Sequence, residues 1–172
     1  MKTSKPIFFI AITALAGNPA ALPARADDAS CKPVADAAAK MARTPYHEVS
    51  TVDGKPFEKI YTTTTLSMRI NNGKWMTVPM TSQEILDSTR ETGSYSNCKA
   101  LRTETVDGQG ATVYAAHRTS PGTSFPNVDA QIWIGSNGLT LKTTEDTQAG
   151  GRKTHAESHV TYDDVHAPAG GH

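Results

Sequence analysis

No nucleophile elbow (Gly-x-Ser-x-Gly), phosphate loop or dinucleotide fingerprint occurs in the 172 residues. The sequence therefore offers neither an activated serine nor a glycine cradle for a nucleotide phosphate. Gly135-Ser136-Asn137-Gly138 is one residue short of the elbow and lies between two strand-like runs. There are only two cysteines, Cys31 and Cys98, and neither has a second Cys or His at ligand spacing, which argues against a cysteine metal site. No run of Lys or Arg appears, and 17 basic residues balance 17 acidic ones. A nucleic-acid partner would demand a basic face, so none is expected. No cofactor is expected either.

The longest apolar run, Pro6 to Gly17, is too short for a comfortable membrane span. It follows the basic Lys2 and Lys5 and precedes Pro19, Pro23 and the small-x-small Ala24-Arg25-Ala26. That is the form of a secretory signal peptide over residues 1–26, with cleavage expected after Ala26 and a periplasmic or secreted product. Lipidation at Cys31 is disfavoured, because Asp28 stands where an aliphatic residue would be needed. In an exported chain the default for Cys31 and Cys98 is one disulfide.

The remainder, residues 27–168, reads as one domain, with residues 169–172 a disordered tail. Pro33 to Arg43 predicts a helix that presents Val34, Ala38 and Met41 on one face. Ser82 is placed to cap a second, short helix running to about Glu91. Around them lie roughly eight strand-like runs. Their hairpin signals include Asp53-Gly54, Asn71-Asn72-Gly73, Asp107-Gly108 and Gly135-Ser136-Asn137-Gly138. The expected class is α+β, mainly antiparallel β, as a single curved sheet or an open barrel.

Two groups of side chains carry possible chemistry. His155, Glu157 and His159 alternate along a strand, so all three would project from one face. They are weak candidates for zinc, because ligands on one extended strand do not converge on a point and a neighbour would have to supply more. The other group is apolar: Leu66, Met68, Trp75, Met76, Met80, Ile85 and Leu86 fall close together in the chain. Methionine adapts to irregular hydrophobic guests. Tyr114 and Trp133 are expected to line the same sheet face. Each is also an ordinary core residue, and a hollow sheet face could be filled by side chains or by a ligand.

Three segments carry a resemblance: CKALRTETVDGQGATVYAAH (98–117), DAQIWIGSNGLTLKTTED (129–146) and VTYDDVHAP (160–168). Their progression resembles the LolA/LolB-like superfamily of periplasmic lipoprotein carriers and relatives over roughly Tyr46 to Pro168. The resemblance implies an open half-barrel of curved antiparallel strands, with both helices covering its concave face. It implies a cavity for acyl chains or other hydrophobic ligands, and a cavity arginine for which Arg69 and Arg102 are the candidates. The leading expectation is thus an exported, monomeric, non-enzymatic protein binding a lipid, an acyl chain or another hydrophobic small molecule. An envelope module that docks another protein is the alternative. A metal-dependent hydrolase built on His155, Glu157 and His159 comes third.

Overall fold

The computed structural model describes residues 29–91, 94–119 and 127–168. The expected signal peptide with its cleavage after Ala26 and the expected disordered tail 169–172 lie outside the described residues.

A short 3-10 turn, Ala29–Cys31, leads into helix α1, Lys32–Met41. Its alanine-rich sequence is strongly helix-forming, and the proline sits at the start, where its missing N–H costs nothing. Val34 and Ala37 form its buried stripe. Strands β1 (Tyr46–Val52), β2 (Lys55–Tyr61), β3 (Thr65–Ile70) and β4 (Met76–Pro79) follow as one meander. Helix α2, Ser82–Glu91, interrupts the strands. A second meander then runs through β5 (Ser94–Val106), β6 (Gln109–Thr119), β7 (Asn127–Gly135), β8 (Thr140–Ala149) and β9 (Arg152–Thr161).

The turns follow from local chemistry. Asp53 (φ +50°) with Gly54 (φ +75°), and Asp107 (φ +49°) with Gly108 (φ +81°), are left-handed pairs. That is the two-residue hairpin geometry whose twist matches the flanking strands, and Asp-Gly tolerates it. The expected cap of α2 is corrected by one residue. Thr81, not Ser82, closes the helix: the Glu84 backbone N–H donates to Thr81 Oγ1 at 3.3 Å. Thr81 returns its own N–H to the Glu84 carboxylate at 2.7 Å. Thr81-Ser82-Gln83-Glu84 is therefore a capping box. Ser82 is engaged elsewhere, sharing a hydrogen bond with the Tyr61 hydroxyl at 3.0 Å.

Among the described residues all the strands join one sheet of nine, one more than expected, in the order β4-β3-β2-β1-β9-β8-β7-β6-β5. The first and last strands in sequence, β1 and β9, pair antiparallel at its centre and join the two meanders. The chain must then cross from edge β4 to edge β5, and α2 lies on that crossing. The sheet does not close on itself. It is an open antiparallel half-barrel with two short helices, as the α+β reading expected.

Candidate functional site

Side chains alternate between the faces of a strand, so the pairing registers assign each residue to a face. One cross-strand row runs Phe57, Ser50, Ser158, Thr143, Ile132, Tyr114 from β2 to β6. Ile132 and Tyr114 pack with Val34 and Ala37 of α1, so this row lies on the helix-covered face. A second row runs Arg69, Glu58, Val49, His159, Lys142, Trp133 from β3 to β7 and lies on the opposite, outer face.

The helix-covered face carries two apolar clusters. Under α1, Cys31, Val34 and Ala37 pack on Ala116, Ala130, Ile132 and Ile134, flanked by the half-buried Tyr95 and Tyr114. The Cys31–Cys98 disulfide, expected from the compartment, is formed there, with Cα atoms 4.9 Å apart. The other cluster centres on buried Tyr46, Tyr61, Leu66 and Val160. Met41 at the end of α1, Ile85 of α2, Met68 and Met80 pack around that centre while staying only half-buried. Leu66, Met68, Met80 and Ile85 are thus brought together, and Leu86 is buried on the same helix.

Between the clusters the sheet is polar. Ser50 and Ser158 are buried, and the Ser158 hydroxyl meets that of Thr143 at 2.7 Å. Lys59 donates to Glu48 at 2.8 Å, directly across the β1–β2 pair, with side chains 25% and 14% exposed. Burial works against the Lys59 ammonium, but Glu48, Tyr46 and Glu145 outweigh it and hold its pKa above the ordinary lysine value. Arg118 on β6 donates to Glu145 on β8 at 3.2 Å, with side chains 21% and 31% exposed. The strand between them, β7, carries Val128 and Ala130 at that level. Burial raises the pKa of Tyr95, with Arg118 lowering and Glu145 raising it in smaller measure, so Tyr95 remains a neutral phenol.

Several expected residues fall elsewhere. Tyr114 and Trp133 do not share a face: Tyr114 pairs with Ile132, and Trp133 pairs with Val113 one position along, so their side chains point oppositely. Trp133 is buried in an outer-face cluster with Val106, Ala111, Val113 and Leu141, and its indole N–H donates to Glu104 at 2.6 Å. Trp75 lies outside the strands with the Arg69 guanidinium 4.6 Å from its ring centre. Met76 is 54% exposed at the β4 edge. Arg69 pairs with Glu58 and Arg102 with Glu104, both on the outer face. Arg118, unlike Arg69 and Arg102, lies on the helix-covered side, and sequence reasoning missed it.

His155, Glu157 and His159 do project from one face, the outer one, and each has a protein partner. His155 meets Asp146 at 2.7 Å, Glu157 takes the Lys142 ammonium, and His159 lies 3.6 Å from Asp107. Among the described residues no three His, Cys, Asp or Glu side chains converge as a metal would need. The outer face also holds an open polar recess of about 650 Å³, lined by Asp53, Asp129, Asp146, Lys153 and His155.

No family model matches this chain, and no curated protein matches it. Solved structures do. LprF from Mycobacterium bovis is similar at 10% identity with a TM-score of 0.51, over 83% of this chain and 97% of that one. The lipoprotein LppX of Mycobacterium tuberculosis matches at 14% identity and a TM-score of 0.48, over 81% and 98%. A LolA superfamily protein of Nitrosomonas europaea, NE2245, superposes less closely, with a TM-score of 0.28 at 8% identity over 74% and 90%. At such identities likeness is likeness of fold. The chain shares the fold of LprF, an open half-barrel of the kind that the LolA/LolB-like resemblance implied.

Proposed function

We propose that this chain is an exported, non-enzymatic binding protein that holds a lipid or other hydrophobic ligand against its helix-covered sheet face, beneath α2. The observation that carries the reading is the state of Met41, Met68, Met80 and Ile85. They pack on one buried cluster yet remain half-buried, with Ile85 reaching it from α2. A closed core would bury them fully. Unbranched methionines can repack around an acyl chain, and each methylene taken from water contributes about 0.8 kcal/mol. The disulfide supports an oxidising compartment.

The test is titration with a fluorescent long-chain diacylglycerol analogue. Met68→Glu and Ile85→Glu each place a charge among those apolar side chains and should weaken binding at least tenfold, while the fold persists by circular dichroism. Val49→Glu, on the exposed outer face, should bind as the wild type does. Unchanged binding in the first two variants would refute the site.

A second reading is favoured by one observation. Strand β4 is an edge of four residues, and Met76 and Val78 on it are 54% and 41% exposed. A partner strand could add there. Binding of a protein partner lost in Val78→Pro, with lipid binding absent throughout, would select that alternative.

A further inference from the structure

We propose that the polar end of the ligand is an uncharged, oxygen-rich group, an ester or hydroxyl, received at Arg118, and that the site rejects anionic headgroups. This rests on the hydrophobic-ligand reading above and names the ligand's chemical class.

Four charged side chains stand on the helix-covered face between the two apolar clusters: Glu48, Lys59, Arg118 and Glu145. They neutralise one another in pairs, so among the described residues of this stretch no positive charge is left over. A phosphate or carboxylate arriving beside Arg118 would meet a guanidinium already engaged by Glu145, whose carboxylate would repel it. Desolvating that anion on a largely buried face would then go uncompensated.

A neutral acceptor meets a different situation. Arg118 Nη2 is spent on both Glu145 oxygens, at 3.2 and 3.4 Å, but Nε is buried and has no hydrogen-bond partner among the described residues. Among the described residues it is the only buried side-chain nitrogen or oxygen in that condition. A buried N–H left unpaired is costly, and an ester carbonyl or a hydroxyl oxygen would satisfy it without adding charge. Tyr95 lies close enough to feel both Arg118 and Glu145 and stays protonated, so its surroundings also suit a neutral guest. The Thr143 and Ser158 hydroxyls continue the uncharged polar floor. Apolar side chains on either side, Tyr114 under α1 and Met68 near α2, suit the acyl chains.

The experiment is native mass spectrometry of the whole exported protein. It is offered diacylglycerol, an acylated monosaccharide and phosphatidic acid, all with the same acyl chains. Wild-type protein should take one of the neutral lipids at least tenfold in preference to phosphatidic acid. Which neutral lipid wins tells a glycerol ester from a sugar. Glu145→Gln frees the Arg118 charge and should raise the share of phosphatidic acid at least tenfold. Arg118→Met with Glu145→Gln removes the donor without leaving a charge, and should weaken neutral-lipid binding with no gain of the anionic one. Equal or tighter binding of phosphatidic acid by the wild type overturns the inference and leaves the carrier reading standing, whether or not the variants fold. A neutral-lipid preference that Glu145→Gln, folded by circular dichroism, fails to shift also overturns it. If no lipid binds the wild type, the carrier reading falls, and the inference with it.

Discussion

Replacing Cys31 and Cys98 together by alanine tests what holds α1 in place. The bridge joins residues 67 apart in sequence. Chain-entropy arithmetic for such a loop puts its stabilisation at about 4 kcal/mol, acting by restricting the unfolded chain. Both sulfurs are buried, at 2% and 8% residue exposure, so alanine is the better replacement: a serine hydroxyl there would have to find a partner. What remains of the α1 attachment is a small apolar stripe, Val34 and Ala37, the half-buried Met41 on the second cluster, and the Lys40 ammonium donating to the Asn137 carbonyl in the β7–β8 turn. The doubly substituted protein should therefore stay folded and lose about 4 kcal/mol in urea unfolding, or roughly 10 °C of melting temperature for a domain of this size. Amide exchange in α1 should quicken more than in β7. A loss below about 1 kcal/mol, with α1 protection unchanged, would refute the claim that the bridge rather than the stripe secures the helix.

Two further predictions concern stability. Thr81→Ala removes the hydroxyl half of the capping box and should cost about 1 kcal/mol, read as faster amide exchange in α2 before any change in the sheet. Acid should lower the stability of the fold through four carboxylates. Asp53 is held low first by the His155 backbone N–H, Glu84 by that of Thr81, Glu104 by the Trp133 indole N–H, and Glu157 by Lys142. A carboxylate whose folded pKa is depressed contributes stability above its ordinary value, 3.8 for Asp and 4.5 for Glu, and that stability is lost as pH falls through the depressed value. The urea midpoint should fall steadily below about pH 4; a midpoint unchanged at pH 3 would contradict this.

What could be read in the sequence was whatever local chemistry decides. Alternation such as Leu66-Ser67-Met68 and the Asp53-Gly54 and Asp107-Gly108 pairs mark strands and turns, because side-chain period and positive φ belong to the residues themselves. The Thr81 cap was within reach too, since Glu84 stands three residues on; Ser82, equally able to cap, obscured it. Glu48 and Lys59 carried a usable signal. A two-residue turn at Asp53-Gly54 fixes the register, and counting outward from Val52 and Lys55 sets those two opposite each other. Arg118 and Glu145 carried none. They meet across an intervening strand, 27 residues apart, and only the assembled sheet brings them together. Trp133 was placed on the wrong face for the same reason, because its face depends on pairing Val113 and not Tyr114 opposite it.

The most direct test of the central claim is the mass of the exported protein, purified without detergent and sprayed under native conditions. A discrete adduct of lipid mass that is lost on denaturation is expected, carried by a protein two hydrogens lighter for its disulfide. A clean apo mass that also stays bare when diacylglycerol is supplied would contradict the claim.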